Sequence, residues 1–214
     1  MKHYPLCGKG HLPEVVILAD GNFPRTRSAV EMLKRLPIVC CDGATGKLLR
    51  HGYKPHAIVG DGDSLSSVLR KQYASIIHLE KEQETNDLSK AFRFCLEKGW
   101  RNILILGATG KREDHTLGNI SLLMDYMSCA QVQMLTDYGL FTPVCGDSEF
   151  ESFPGQQVSV FNMGCTYLKG ENLAYPLSLF TNWWQGTLNE ATETRFRVIT
   201  DGKLLVYRVG GLLK

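Results

Sequence analysis

Neither sign of charge is in excess in this sequence: 24 Lys and Arg face 22 Asp and Glu, leaving a formal charge of +2 and a pI near 8.1. That balance offers no broad basic face for nucleic acid or an acidic membrane surface, so any charge-dependent function has to be local. Long apolar runs are missing too. No stretch approaches the ~18 uninterrupted apolar residues of a membrane span, and the opening MKHYPLCGKGHLPE lacks the apolar core of a signal peptide. Cysteine is present at Cys7, Cys40, Cys41, Cys95, Cys129, Cys145 and Cys165, but never as the CxxC pair that suggests zinc or a redox site. The expectation is a soluble, cytoplasmic protein with reduced thiols and neither a nucleic-acid nor a membrane partner.

Several nucleotide signatures are absent as well. No GxGxxG follows the first strand-like run, which argues against a dinucleotide dehydrogenase. GATGKR is not a Walker A loop, because too few residues separate its glycines and Arg112 stands where Ser or Thr is required. No 12-residue EF-hand pattern occurs.

What is present is an ordinary globular composition, 43% hydrophobic and 21% charged over 214 residues, enough for one domain or one plus a small second. Short β-branched runs alternate with segments of helical periodicity up to about residue 136. The runs are VVILA (15–19), IVCC (38–41), AIV (57–59), SIIHL (75–79), NILIL (102–106) and VQMLT (132–136). Between them lie RSAVEMLKRL, GKLLRHG, SSVLRKQY, NDLSKAFRFCLEKG and EDHTLGNISLLMDYM. That rhythm predicts a parallel sheet covered by helices on both faces. Beyond it, turn residues recur every few positions, which predicts antiparallel β structure, with Asp201-Gly202 closing a hairpin in FRVITDGKLLVYRV. The boundary is expected between residues 136 and 148.

Acids collect where the parallel strands end: Asp20-Gly21-Asn22, Asp42-Gly43-Ala44, Asp61-Gly62-Asp63, then Glu80 through Asp87. Ligands of open parallel sheets bind outside these carboxyl ends. A single Asp there is more often a helix cap or an Asx turn. Asp61 and Asp63 differ, because in extended backbone residues i and i+2 point the same way with Cα atoms about 6.5 to 7 Å apart. Two anions in one small space call for a hard cation, and acids spread over several loops suit magnesium, which usually also holds substrate phosphate. In GATGKREDHTLGN, a glycine turn enters a helix start whose free N–H groups favour anions, with Lys111 and Arg112 beside it. The run LEKEQETNDLSKAF also reads as a solvated turn and a helix capped by Asn86 or Asp87, with Lys90 paired to Asp87. Asn119-Ile-Ser121 matches a glycosylation pattern by accident, and His115 alone reads as structural.

In order, ILADGNFP, CDGAT, IVGDGDS, EQETNDLSKA and GATGKREDHTLGN, followed by the weaker ENLAYPLSLF and GTLNEAT, resemble the thiamine pyrophosphokinase family over about residues 15 to 210. The resemblance implies an α/β fold: an N-terminal parallel-sheet nucleotide-binding domain followed by an antiparallel β-sandwich domain. Residues 1–140 are then the ATP-binding catalytic domain, with 1–13 a flexible arm, and 141–214 the thiamine-binding sandwich. It implies magnesium-dependent transfer of the pyrophosphoryl group of ATP to the hydroxyl of thiamine, giving thiamine diphosphate and AMP, by a homodimer.

By the same resemblance Asp42, Asp61, Asp63 and Asp87 surround magnesium, and together with Arg112 and Asp114 make up the catalytic set. Gln83, Asn86, Lys90, Lys111 and Arg112 meet the ATP phosphates, and Tyr175 and Asn189 meet thiamine. This chain departs from the family at Gly62, where a bulkier residue is common, at Asn86 in place of threonine, and at Lys111, where a second glycine is usual. Trp183 and Trp184 fit either the wall of a pocket for the cationic thiazolium or the β-domain core. The residues alone also allow another magnesium-dependent phosphohydrolase or nucleotidyltransferase, or a non-catalytic nucleotide-binding protein.

Overall fold

A computed structural model describes residues 1–6 and 12–210 of the chain. Two compact units emerge, Pro13–Asp137 and Met1–Leu12 with Tyr138–Lys214. Strand β1 (Lys2–Tyr4) belongs to the second unit, and the chain then builds the first.

The first unit alternates strand and helix. Its strands are β2 (Val15–Leu18), β3 (Ile38–Cys41), β4 (Ala57–Gly60), β5 (Ile77–Leu79), β6 (Asn102–Leu106) and β7 (Gln131–Leu135). Its helices are α1 (Arg27–Arg35), α2 (Thr45–Arg50), α3 (Ser67–Gln72), α4 (Asp87–Glu97) and α5 (Glu113–Tyr126). Every residue of β2, β3 and β4 is buried, as expected of β-branched runs covered on both faces. All pairings among these strands are parallel, in the order β7-β6-β2-β3-β4-β5. Helix α4 buries Leu88, Ala91, Phe92 and Cys95, the i, i+3, i+4, i+7 stripe that a 3.6-residue period places on one face. Burial of Leu88 or Phe92 is worth about 1.5–3 kcal/mol each. The Asn86 side chain starts this helix by accepting the Ser89 N–H at 2.9 Å.

Successive strands β2 to β5 step outward in one direction, whereas β6 and β7 lie on the other side of β2. The direction of winding therefore reverses between β2 and β6. In such a sheet, that reversal opens a crevice at the carboxyl ends of the two strands.

The second unit adds β8 (Gly139–Cys145), β9 (Ser148–Glu151), β10 (Gln156–Asn162), β11 (Leu168–Glu171), β12 (Asn189–Ala191), β13 (Arg195–Thr200) and β14 (Lys203–Val209). One sheet runs β1-β9-β13-β11 and a second group runs β12-β10-β14-β8. Val144, Val158, Val160, Leu204 and Val206 of the second group share one core with Phe150, Phe196 and Val198 of the first. Two layers around a common apolar interior make a β-sandwich.

Two expectations are corrected here. Residues 1–13 do not form a free arm throughout: Lys2–Tyr4 pairs in parallel with β9, and Tyr4 stacks on Phe150 with centroids 5.0 Å apart. Arg208, 2% exposed, donates to the carbonyls of Tyr4, Pro5 and Glu151 and so ties the segment down. The remainder of the expected arm, residues 7–11, lies outside the described residues.

Nor does Asp201-Gly202 close a hairpin. β13 pairs with β9 and β11, whereas β14 pairs with β8 and β10, so the turn carries the chain from one layer to the other. The Asp201 carboxylate accepts the N–H groups of Thr166 and Tyr167 at 2.8 and 2.9 Å, and a Cβ at Gly202 would sit 2.6 Å from the Cys165 Cα. The turn is packed against a third loop, which holds it as a crossing between the layers. Among the described residues, no helix is long and apolar enough to cross a membrane.

Candidate active site

A cavity of about 480 Å³ opens at the carboxyl ends of the parallel strands. Its wall includes Asp20 and Gly21 after β2, Gly43 after β3, Asp61 after β4, Gln83, Thr85 to Leu88 and Lys90 after β5, and Thr109, Lys111 and Arg112 after β6. This is the crevice that the reversal between β2 and β6 calls for. Small residues let the loops meet: the Gly21 N–H donates to the Gly107 carbonyl at 2.5 Å, and the Asn22 N–H donates to Thr109 at 2.8 Å. A Cβ at Gly21 would lie 2.3 Å from the Thr109 oxygen.

Of the residues anticipated from sequence, Asp61, Gln83, Asn86, Asp87, Lys90, Lys111 and Arg112 line this cavity together. Asp42 stands behind the wall, 2% exposed, with its carboxylate accepting the N–H groups of Gly43 at 2.6 Å and Gly62 at 2.9 Å. Burial pushes its pKa up to about 6, helped by the charges of Asp87 and Asp61 and opposed by the two N–H donors. The Asp61 carboxyl is held below its usual range, first by the Asp63 N–H at 3.0 Å, with the Gln83 amide 3.5 Å away and Lys90 also contributing.

Asp63 does not share a face with Asp61. Gly62 takes φ +84, which breaks the extended backbone, and the Asp63 side chain is 87% exposed with Arg70 at 3.9 Å. Asp114 is likewise not part of the wall; it is clamped by Arg112 at 2.6 and 3.1 Å in the first turn of α5, and the guanidinium holds its carboxyl below the ordinary range. Tyr175 and Asn189 belong to the β unit, where the Asn189 side chain brackets the Tyr175 backbone with bonds of 3.1 and 2.8 Å. Tyr175, Trp183 and Trp184 are 63%, 55% and 73% exposed, so neither tryptophan fills the β core.

The acidic run after β5 divides into two parts. Arg93 neutralises Glu80 at 2.6 Å and Glu82 at 2.7 Å, and the Thr85 hydroxyl brings Glu82 down to about 2. Asp87 faces the cavity instead, paired at 3.3 Å with Lys90, whose side chain is 2% exposed. A lysine so deeply buried requires such a partner.

Three residues escaped the sequence reading. Asn119 accepts from the Asn86 amide at 3.1 Å and donates to the Ala108 carbonyl at 2.8 Å, joining two walls of the cavity. Asp20, noted only as a strand-end acid, forms ion pairs with Lys47 at 2.8 Å and Lys111 at 2.7 Å. Lys47 lies inside a helical segment whose local pattern carries no functional signal. The structure also puts His115 on the cavity wall, with its backbone N–H donating to the Asp114 carboxylate at 2.9 Å.

No group of three or more His, Cys, Asp or Glu side chains stands ready to enclose a metal among the described residues. Asp61 and Asp87 nevertheless place two carboxylates on one wall, and their charges act together on Asp42. That donor set fits a magnesium ion, which takes few protein carboxylates and keeps its other positions for water and phosphate.

Comparison with known proteins agrees across both units. Residues 31–134 match the family model for the thiamin pyrophosphokinase catalytic domain, and residues 139–207 match that for the thiamin pyrophosphokinase substrate-binding domain. Thiamin pyrophosphokinase 1 of Caenorhabditis elegans is 34% identical over 124 residues, covering 53% of this chain and 51% of that protein. Thiamine pyrophosphokinase 1 of Oryza sativa subsp. japonica is 28% identical over 164 residues, covering 65% and 62%. The chain thus spans about half to three-fifths of the length of these curated relatives. Among solved structures, thiamine pyrophosphokinase from Bacillus subtilis superposes with a TM-score of 0.77 at 22% identity over 91% of this chain and 98% of that one. The yeast enzyme gives 0.78 at 16% identity over 98% and 92%. Both similarities establish a shared fold.

Proposed function

This chain belongs to the thiamin pyrophosphokinase family, and we propose that it transfers the pyrophosphoryl group of magnesium-ATP to the hydroxyl of thiamine, giving thiamine diphosphate and AMP. The observation that carries this reading is the cavity at the reversal between β2 and β6, whose wall combines Asp61 and Asp87 with Lys90, Lys111 and Arg112. Carboxylates for a hard cation and cations for phosphate within one crevice are what phosphoryl transfer needs.

Asp61 and Asp87 would hold magnesium, with the buried Asp42 adding negative charge behind them, whereas Asp63, turned away across Gly62, stands outside that pair. Bound there, the ion would offset charge on the phosphate oxygens. Lys111 and Arg112 hold phosphate oxygens at the start of α5, and Lys90 adds its charge beside Asp87. Gln83 and Asn86 supply neutral hydrogen bonds along the same wall. Asp114 keeps the Arg112 guanidinium in orientation through its bidentate clamp. The thiamine oxygen attacks the β-phosphorus, the bond to the α,β-bridging oxygen breaks, and AMP departs with that oxygen. The hydroxyl proton passes to a carboxylate of the cavity wall.

In the same reading, Tyr175 and Asn189 meet thiamine from the β unit, Tyr175 offering an aromatic face to the cationic thiazolium. Exposed Tyr175, Leu179, Trp183, Trp184 and Leu188 support a homodimer in which a second copy covers them. The free cysteines Cys40, Cys41, Cys95, Cys129, Cys145 and Cys165 support a cytoplasmic location, and the balanced charge supports a small-molecule partner over nucleic acid. Incubation with magnesium-ATP and thiamine, followed by chromatography, tests the reading. Thiamine diphosphate is expected; ATP breakdown without it, or no turnover, contradicts the assignment.

A further inference from the structure

Asp20 sits between two ammonium groups. Its Oδ1 lies 2.8 Å from Lys47 Nζ and its Oδ2 lies 2.7 Å from Lys111 Nζ, so two oxygens of one anion bridge two cations, and of the three side chains Asp20 and Lys111 line the cavity. An oxygen of a phosphoryl group could take the place of Oδ2 on Lys111. We propose that Asp20 is a built-in counter-anion of the phosphate subsite, occupying Lys111 until a polyphosphate displaces it, while Lys47 keeps the carboxylate in place. This deepens the phosphate-transfer reading and rests on it for the identity of the natural ligand.

The two lysines are held unequally. Lys47 is anchored a second time, by donating to the Gly21 carbonyl at 2.8 Å, and its side chain is 26% exposed. Lys111 is 49% exposed, and Asp20 is its one acidic partner among the described residues. Exchange therefore falls to Lys111, whose ammonium can turn from Asp20 toward an incoming phosphate.

Backbone motion is not needed. The loops bearing Asp20 and Lys111 are already joined through the Gly21–Gly107 and Asn22–Thr109 hydrogen bonds, and Gly43 leaves the space that Asp20 fills, since a Cβ there would come within 3.1 Å of Oδ2. Hydrogen bonding to Asp20 pushes Lys111 up, which keeps it cationic and ready for an anion. The three side chains together carry one net positive charge. Loss of the Asp20 charge leaves two, so the subsite should attract polyphosphate more strongly.

This predicts a gain of binding on removal of a cavity-wall residue, which loss of structure would not produce. The probe is inorganic tripolyphosphate in excess magnesium chloride, titrated calorimetrically without thiamine. Asp20→Asn should tighten binding on the order of threefold or more, the size of a partly exposed ion pair. Asp20→Ser, which removes the same charge with a smaller side chain, should shift affinity in the same direction. Lys111→Met should weaken binding, and most of the Asp20→Asn gain should vanish in its background. Unchanged or weaker binding in both Asp20 variants, or a full gain without Lys111, overturns the proposal. Thiamine diphosphate formation by the unsubstituted protein is measured in parallel: its absence contradicts the reading of the reaction, whereas the tripolyphosphate comparison judges Asp20 independently.

Discussion

The N–H of Gly62 donates to Oδ2 of Asp42 across 2.9 Å, joining the turn after β4 to the turn after β3. With the Gly43 N–H at 2.6 Å on the other oxygen, the bond orients a buried carboxylate toward the rear of the cavity wall. Gly62 is suited to this on two counts: its φ is +84, and a Cβ there would meet Leu79 Cδ2 at 2.8 Å.

Asp42 makes stability depend on pH in a direction unusual for a carboxylate. Its pKa rises from 3.8 to about 6 on folding, so between those values the folded chain binds more protons than the unfolded one. Its contribution to stability is then fully present below about pH 4 and is lost as pH rises through about 6, by at most about 3 kcal/mol. Urea unfolding of the magnesium-free protein, compared with Asp42→Asn, isolates this contribution from other acids. The stability of the natural chain relative to the variant should fall between pH 4 and pH 7.5; a constant difference would show that Asp42 ionises normally.

Asp61→Asn and Asp87→Asn keep the shape of the cavity wall and remove its negative charge. Each should lower turnover by about 100-fold or more, the scale on which a group stabilising transition-state charge acts. More magnesium should be needed to reach half of the remaining rate. A magnesium titration of steady-state turnover checks both effects, and wild-type kinetics at limiting magnesium would remove that residue from the site.

Gly21→Ala should destabilise the α/β unit. The new methyl would lie 2.3 Å from the Thr109 oxygen and 2.4 Å from the Gly107 oxygen, both backbone atoms. Separating these loops should cost about 2 kcal/mol or more, visible as a lower thermal midpoint. A midpoint within a degree of the natural chain would show that the loops part freely.

Tyr175→Ala removes an exposed ring, while the backbone stays fixed by Asn189. The thiamine KM should rise roughly tenfold, in line with loss of a cation–π contact. The ATP KM should stay within about twofold, because no ATP role falls to Tyr175 in the proposed assignment. Equal changes in both constants would take Tyr175 out of the thiamine pocket.

The α/β unit was largely readable from sequence because β2, β3 and β4 are buried on both faces: VVIL, IVCC and AIVG can be little else between helical periods. The acids at their ends were readable for the same reason, since strand ends locate the crevice. What was missed depends on contacts remote in sequence. Asp201-Gly202 has the residues of a tight hairpin, but local turn chemistry does not say that β13 and β14 enter different layers. Spacing alone put Asp61 and Asp63 on one face, and the positive φ of Gly62 separates them. Lys47 carries no motif; its importance comes from the fold bringing it 2.8 Å from Asp20.

The most direct test of the reaction follows the β-phosphate. ATP labelled at that position is incubated with magnesium, thiamine and the protein, and the products are separated and counted. Label in thiamine diphosphate, with one AMP released for each molecule formed, is the predicted result. Label remaining in ADP, or appearing as free phosphate with thiamine unchanged, would contradict the account.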